Sequence, residues 1–189
     1  MDQISMKMTK NILFLLLLMC PLLSMAQGHK GSVESCAPMK NGKVCYSDEV
    51  DAEGMKKGEL FNAIDKWARK TYGKDVFLSS VTSSKSKGTI NINSKVELLL
   101  NDTDKTIVKY KMRIYCHDEK YNIELSDISY QYDPMNEKKY KTYPAENVIA
   151  NNGKSNTIAV IKDPLLFCNA TFFFAENLFG EVFDATQED

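Results

Sequence analysis

A cysteine followed directly by a histidine, Cys116-His117, suggests a thiol and imidazole pair in which the ring takes the thiol proton and the thiolate attacks a carbonyl. The spacing argues against it. Both residues lie in an alternating run, with Val108, Tyr110, Met112, Ile114 and Cys116 set against Lys109, Lys111, Arg113, Tyr115 and His117. Neighbours along a strand point to opposite faces, so this pair cannot share a proton. The other histidine of the chain is His29, and no Gly-x-Ser-x-Gly elbow is present to carry nucleophilic catalysis.

The same run offers a different chemistry. Lys109, Lys111 and Arg113, with Tyr115 beside them, present donors and an aromatic ring on one side of one strand. Of the ligands such a side suits, an anionic glycan or other envelope polymer fits best. The competing reading is a solvated face stitched by cross-strand ion pairs, and it is the commoner fate of such a face. Metal and phosphate signals fail on spacing. Gly153-Lys154-Ser155 resembles the end of a phosphate loop, but Val148 stands where its first glycine belongs. Asp48, Asp51 and Glu53, like Asp102 and Asp104, lack the one-three-five spacing of a calcium loop. No metal site and no cofactor is therefore expected, and the Asn101 and Asn169 sequons are matches of chance grade.

The compartment follows from the first residues. Asn11 to Ala26 is a short apolar run behind Lys7 and Lys10, ending in the small-x-small triplet Ser24-Met25-Ala26. These are the features of a secretory signal peptide over 1–26. The run contains Pro21 and is shorter than the roughly 20 residues of a spanning helix, so no stable membrane span is expected after cleavage. Met19 before Cys20 and Pro21 after it argue against a lipid anchor. The expected location is periplasmic or secreted, where disulfides persist. Overall the charge is −1 among 189 residues. That near-neutrality excludes a nucleic-acid partner, whose phosphates demand a strong basic excess.

Cys36, Cys45, Cys116 and Cys168 remain beyond the leader, and they allow three connectivities. Cys36 with Cys45 is the expected disulfide, because it would staple a flexible tail, 27–42, to the first strand. Cys116 and Cys168 fall on faces that should meet, where they would bridge or lie buried as small apolar groups.

These side chains need elements to position them. Lys43 to Val50 is β-prone, and the acids from Asp48 to Glu53 mark the approach to a helix. From Met55 to Tyr72, Leu60, Ala63, Ile64, Trp67, Ala68 and Thr71 recur at steps of three and four, a helix that Gly73 stops. The period then changes to two. Val76 to Thr82 is β-prone and Ser83 to Gly88 turns the chain; Ile90, Ile92, Ser94, Val96, Leu98 and Leu100 alternate with Asn91, Asn93, Lys95 and Glu97. After the run to His117, Tyr121, Ile123 and Leu125 alternate before the apolar phase jumps to Ile128, Tyr130 and Tyr132. That slip predicts a β-bulge near Ser126-Asp127.

A long loop, 133–162, follows, with at most a short strand at Thr157 to Ile161. Asp163-Pro164 then starts a helix over 163–183. Its expected buried seam is Leu165, Cys168, Phe172, Ala175, Phe179 and Val182, which leaves Phe167, Phe174 and Leu178 on the flank to meet a partner protein or lipid.

The resulting expectation is one α+β domain over 43–189: two layers, a curved antiparallel sheet and two helices on the same face, in the order β-α-β4-α. The helix Gly58 to Trp67, the strand opening Lys87-Gly88-Thr89-Ile90 and the segment Tyr121 to Tyr130 resemble an uncharacterised family of secreted bacterial proteins, a domain of unknown function with a TATA-binding-protein-like fold. The resemblance covers about Lys43 to Tyr132. It implies the same sheet backed by helices and brings no assigned active site. The namesake of the fold lays its open sheet face on DNA, but analogy of fold is a weak warrant for function. The expected function is a non-enzymatic binding or interaction module of the cell envelope, with an envelope protein or anionic glycan as partner. The alternative is a hydrolase of envelope polymers that uses Asp and Glu carboxylates, for example from the 133–162 loop.

Overall fold

A computed structural model describes residues 36–135 and 141–187. The leader, the first part of the tail with His29, and the charged run from Asn136 to Lys139 lie outside the described residues.

The chain opens with β1 (Met39–Lys40) and β2 (Lys43–Val44), a two-stranded hairpin closed by Asn41 and Gly42 at φ 52° and 75°. Positive φ at both positions of a two-residue loop is the twist a tight hairpin needs. Then come β3 (Tyr46–Asp51), α1 (Lys57–Tyr72), β4 (Ser79–Ser84), β5 (Thr89–Leu99), β6 (Lys105–His117), β7 (Lys120–Tyr132), β8 (Lys141–Pro144), the single turn α2 (Ala145–Val148) and the long α3 (Pro164–Gln187). The main sheet is antiparallel, in the order β3-β7-β6-β5-β4, with β8 also paired to β7. The fold is α+β.

The bulge lies where the phase slip puts it. Lys109 pairs with Ser129 and Lys111 with Ser126, so β7 carries one extra residue opposite Tyr110. Asp127 takes φ 52° there, a conformation that short polar side chains tolerate. The bulge also divides the outer edge of β7: β3 pairs with residues 120–125, and β8 with residues 129–132.

In β6 burial alternates without a break from Thr106 to Cys116. Its dry side meets Leu60, Phe61, Ile64 and Ala68 of α1 and Phe167, Cys168, Ala175 and Val182 of α3 in one hydrophobic cluster. Trp67, Phe174 and Phe179 pack at its margin. The start of α1 is capped from within and from outside: Lys56 N donates to Glu59 Oε2 of the helix's own first turn (2.8 Å), and Lys57 N to Asp118 Oδ1 of the β6–β7 turn (2.9 Å). A backbone N–H at a helix start has no intrahelical acceptor, so these carboxylates complete it.

Several expectations need correction. Cys36 bonds to Cys168, with Cα atoms 5.6 Å apart, and not to Cys45; Cys45 and Cys116 are free and buried. The reason lies in the pleat. Tyr46 faces the helices and donates its hydroxyl to the Cys36 carbonyl (2.6 Å), so Cys36 sits on the helix side, whereas Cys45, one residue earlier, turns the other way toward Lys40 and Glu124.

Residues 36–42, expected within a flexible tail, are fixed by that bond, by the hairpin and by Cys36 N donating to Asn152 Oδ1 (3.0 Å). Val76 to Leu78 do not join β4, and no strand forms at Thr157 to Ile161. The helix after Asp163 runs to Gln187, beyond the expected end at 183.

The seam of α3 is rotated from the expected one. Phe167, Thr171 and Leu178 are buried, while Leu165 and Phe172 are exposed. Phe167 lies edge-on to Tyr130 and Tyr132, both at 5.1 Å. The Thr171 hydroxyl donates to the Phe167 carbonyl (2.6 Å), so the 2.7 Å contact with Tyr130 is a hydrogen bond given by the tyrosine.

Candidate functional site

The face of the main sheet away from the helices has two neighbouring rows of side chains. Strand register puts Lys95, Lys109 and Ser129 in one row, and Ser80, Asn93, Lys111 and Ser126 in the next. Arg113 opposite Glu124, then Tyr115 opposite Asn122, continue the surface toward β3. Lys109, Lys111, Arg113 and Tyr115 therefore share one face, as alternation demands. His117 shares it as well, while Cys116 is 1 % exposed on the other side. Burial pushes the Cys116 thiol up to about 11, which disfavours the thiolate that the Cys116-His117 reading would need.

The bases on this face differ in how their charge is met. Arg113 Nη1 lies 3.2 Å from Glu124 Oε1, and Lys40 of the β1–β2 hairpin reaches the other oxygen of the same carboxylate at 2.8 Å. Lys43, also of the hairpin, holds Asp127 at 2.6 Å, while Lys111 stands 4.0 Å from it. Thus four bases divide two carboxylates. Lys95 and Lys109, directly opposite one another across β5 and β6, make no ion pair among the described residues. Elsewhere on the sheet the pairing is even, with Lys105 on Glu97 (2.8 Å) and Lys120 on Glu49 (3.1 Å).

The hydrogen bond from Lys40 comes first among the causes that hold the Glu124 carboxyl below its ordinary range, and that from Lys43 does the same for Asp127. Both folded-state values lie below the unfolded ones. Their stabilisation is therefore complete above the ordinary carboxylate range, about pH 4, and is lost as pH falls through the depressed values. In a side-chain carboxyl NMR titration, Glu124 is expected to titrate below a typical glutamate, and Lys40→Ala should move it back upward. A midpoint that Lys40→Ala leaves in place would contradict the pairing.

Two depressions mark the face. One, of about 420 Å³, lies between the turn Val76–Leu78 and the lysine rows. The other, of about 520 Å³, gathers Lys40, Tyr115 and His117 with Asp48, Glu49 and Glu124. Away from this face, a groove of about 290 Å³ between α1 and α3 sets Glu181 and Asp184 among Lys66, Lys70 and Trp67. The acids of the 133–162 loop that the structure describes both have backbone duties. Asp133 accepts from Met135 N (3.0 Å), and Glu146 accepts from Val44 N (3.0 Å).

Sequence reasoning left two parts of the surface out of the candidate set. Lys40 falls in the expected tail and Lys43 at the start of the first expected strand, so neither is a candidate there. Val76 and Phe77, 79 % and 90 % exposed, were read as strand. Phe77 N and Leu78 N instead donate to Asp75 Oδ1 (2.9 and 3.3 Å), an aspartate turn that holds the apolar residues out. The apolar surface of α3 is likewise not at Phe167 and Leu178, which are buried, but at Leu165, Phe172, Phe173 and Phe183, with Leu99 nearby.

Comparison with solved structures defines the class. A TBP-like protein from Parabacteroides distasonis has a TM-score of 0.79 and 74 % identity, over 82 % of this chain and 99 % of that one. A DUF4468 family protein from Bacteroides ovatus, 23 % identical, shares the fold at a TM-score of 0.69, over 82 % and 92 % of the two chains. Residues 46–131 match the profile of a domain of unknown function (DUF4468) with TBP-like fold. The chain belongs to that family. No curated protein matches it.

Proposed function

We propose that this chain is an exported, non-enzymatic binding module of the cell envelope, and that its open sheet face holds an anionic polymer. The observation that carries the reading is the charge arrangement: four bases share Glu124 and Asp127, and Lys95 and Lys109 pair with no acid among the described residues. A face selected only for solvation would pair its charges, as Lys105 with Glu97 and Lys120 with Glu49 do. The Cys36–Cys168 disulfide supports the export half of the proposal, since such bonds persist in oxidising compartments. No described helix is long and apolar enough to cross a membrane.

Binding to immobilised heparin and polygalacturonate tests the reading. The parent protein should bind both and release them as salt rises, because exposed charges are screened within about 10 Å at 0.1 M. The variant Lys109→Ala/Lys111→Ala/Arg113→Ala should bind at least about tenfold more weakly, the loss of several charge-assisted contacts. Equal binding by parent and variant, or equal retention on neutral dextran, contradicts the proposal.

A second reading, an envelope protein as partner, is favoured by a specific feature. Phe173 is 64 % exposed beside Leu99 at 66 %, an apolar margin that solvation alone does not explain.

A further inference from the structure

We infer that the depression between the Val76–Leu78 turn and the central strands is a subsite for one ring of an acidic saccharide, with Phe77 as its stacking platform and Lys95, Lys109 and Lys111 clamping the ring's carboxylate or sulfate. The inference rests on the polymer-binding reading above and names the ligand class and the residues that read it.

Three observations converge on this place. The first is electrostatic. Lys95 and Lys109 are directly opposite across antiparallel strands, both half-buried. Like charges in that position destabilise a sheet, and no acid among the described residues pairs with either. Lys111 is diagonal to Lys95, and the carboxylate nearest to it, Asp127, already lies 2.6 Å from Lys43. Three lysines thus line one depression in which Asp127, shared with Lys43, is the acid present, a deficit of negative charge that a bound anion would fill.

The second observation is the rim. Phe77 is 90 % exposed, and the Asp75 turn fixes its backbone, with Ser79 N donating to the Asp75 carbonyl (2.9 Å) and closing the loop. Lys95 N donates to the Leu78 carbonyl (3.0 Å), so the turn is anchored on the very residue that begins the lysine row. An aromatic ring held in solvent next to cations suits a ligand with one apolar face and one charged edge.

The third observation is the floor. Ser80, Asn93 and Ser129 line the same depression with hydroxyl and amide groups. Asn93 Nδ2 donates to Ser80 Oγ (3.4 Å), and the donors and acceptors that remain on these groups match the hydroxyls of a sugar and not an acyl chain. A volume of about 420 Å³ falls in the range of small-ligand sites, about 300–1,000 Å³.

Trigalacturonate is the probe, titrated into the isotope-labelled protein, with maltotriose as the neutral control. Shifts should appear at residues 77–80, 93–95 and 109–111 with the acidic trisaccharide and not with the neutral one. Phe77→Ala and Lys95→Ala should each weaken binding about tenfold, the scale of a lost stacking contact for the first and of a lost charge-assisted contact for the second. Lys95→Ala should at the same time hold or raise the urea midpoint, because it relieves the repulsion from Lys109. A structural lysine would move both readouts downward.

If polygalacturonate binds, but Phe77→Ala and Lys95→Ala bind trigalacturonate as the parent does, the subsite is wrong while the wider reading stands. If neither polymer nor trisaccharide binds, both fall. Phosphatidylglycerol vesicles captured through Phe77, with no response to trigalacturonate, would replace the saccharide by a lipid surface and overturn the inference.

Discussion

Replacing both Cys36 and Cys168 by serine is expected to lower the stability of the domain by about 5 kcal/mol, from the chain-entropy cost of freeing a loop that spans 132 residues. Native domains hold only about 5–15 kcal/mol in total, so this bond decides whether much of the population is folded. The effect should spread from one place. Cys36 anchors the segment that carries the β1–β2 hairpin, and the hairpin supplies Lys40 and Lys43 to the sheet face. Losing the bond therefore loosens the basic surface as well as the fold. Urea denaturation monitored by circular dichroism, with and without reductant, checks this. The double serine variant and the reduced parent should share one lowered midpoint, and midpoints equal to that of the oxidised parent would contradict the account.

Phe167→Ala is expected to cost about 3–5 kcal/mol, the range for deleting a buried aromatic side chain. Its ring is 2 % exposed and packs edge-on against Tyr130 and Tyr132, so the deletion also removes two aromatic contacts. Phe173→Ala, at 64 % exposure on the same helix, should cost less than about 1 kcal/mol. The pair of midpoints tests the rotation of α3 directly. Equal losses, or a larger loss at Phe173, would mean that the helix presents a different face to the sheet.

That rotation is a place where the sequence was ambiguous for a physical reason. A helix with Phe172, Phe173 and Phe174 in succession is apolar nearly all round, so spacing alone allows several seams. The disulfide at Cys168 and the Tyr130 to Thr171 hydrogen bond choose among them, and both depend on residues far away in the chain. The seam of α1 moves less: Phe61 and Tyr72 are buried where Ala63 and Thr71 were expected.

Where only one face is dry, alternation left no such freedom. The strands β5, β6 and β7 and the bulge at Asp127 were legible because a shift of one residue would exchange the buried and wet faces completely. For the same reason the side on which Lys109, Lys111, Arg113 and Tyr115 stand was readable from one strand.

The hairpin was legible too and went unread: Asn41-Gly42 between short β-prone pairs is a strong two-residue turn signal. Disulfide partners were not readable, because connectivity among four cysteines depends on which faces of separate elements meet. The lysine cluster was half readable. Alternation puts Lys95 and Lys109 on one face, but their direct opposition requires the register between β5 and β6, which no single strand contains.

The central claim is that the open sheet face binds an anionic polymer, and the location of the polymer's footprint tests it most directly. Backbone amide shifts of the labelled protein should change on adding polygalacturonate along the wet sides of β5, β6 and β7 and in the β1–β2 hairpin, while α3 stays unmoved. A footprint on Leu165, Phe172 and Phe173 of α3, or no footprint at any concentration that heparin and polygalacturonate allow, would contradict it.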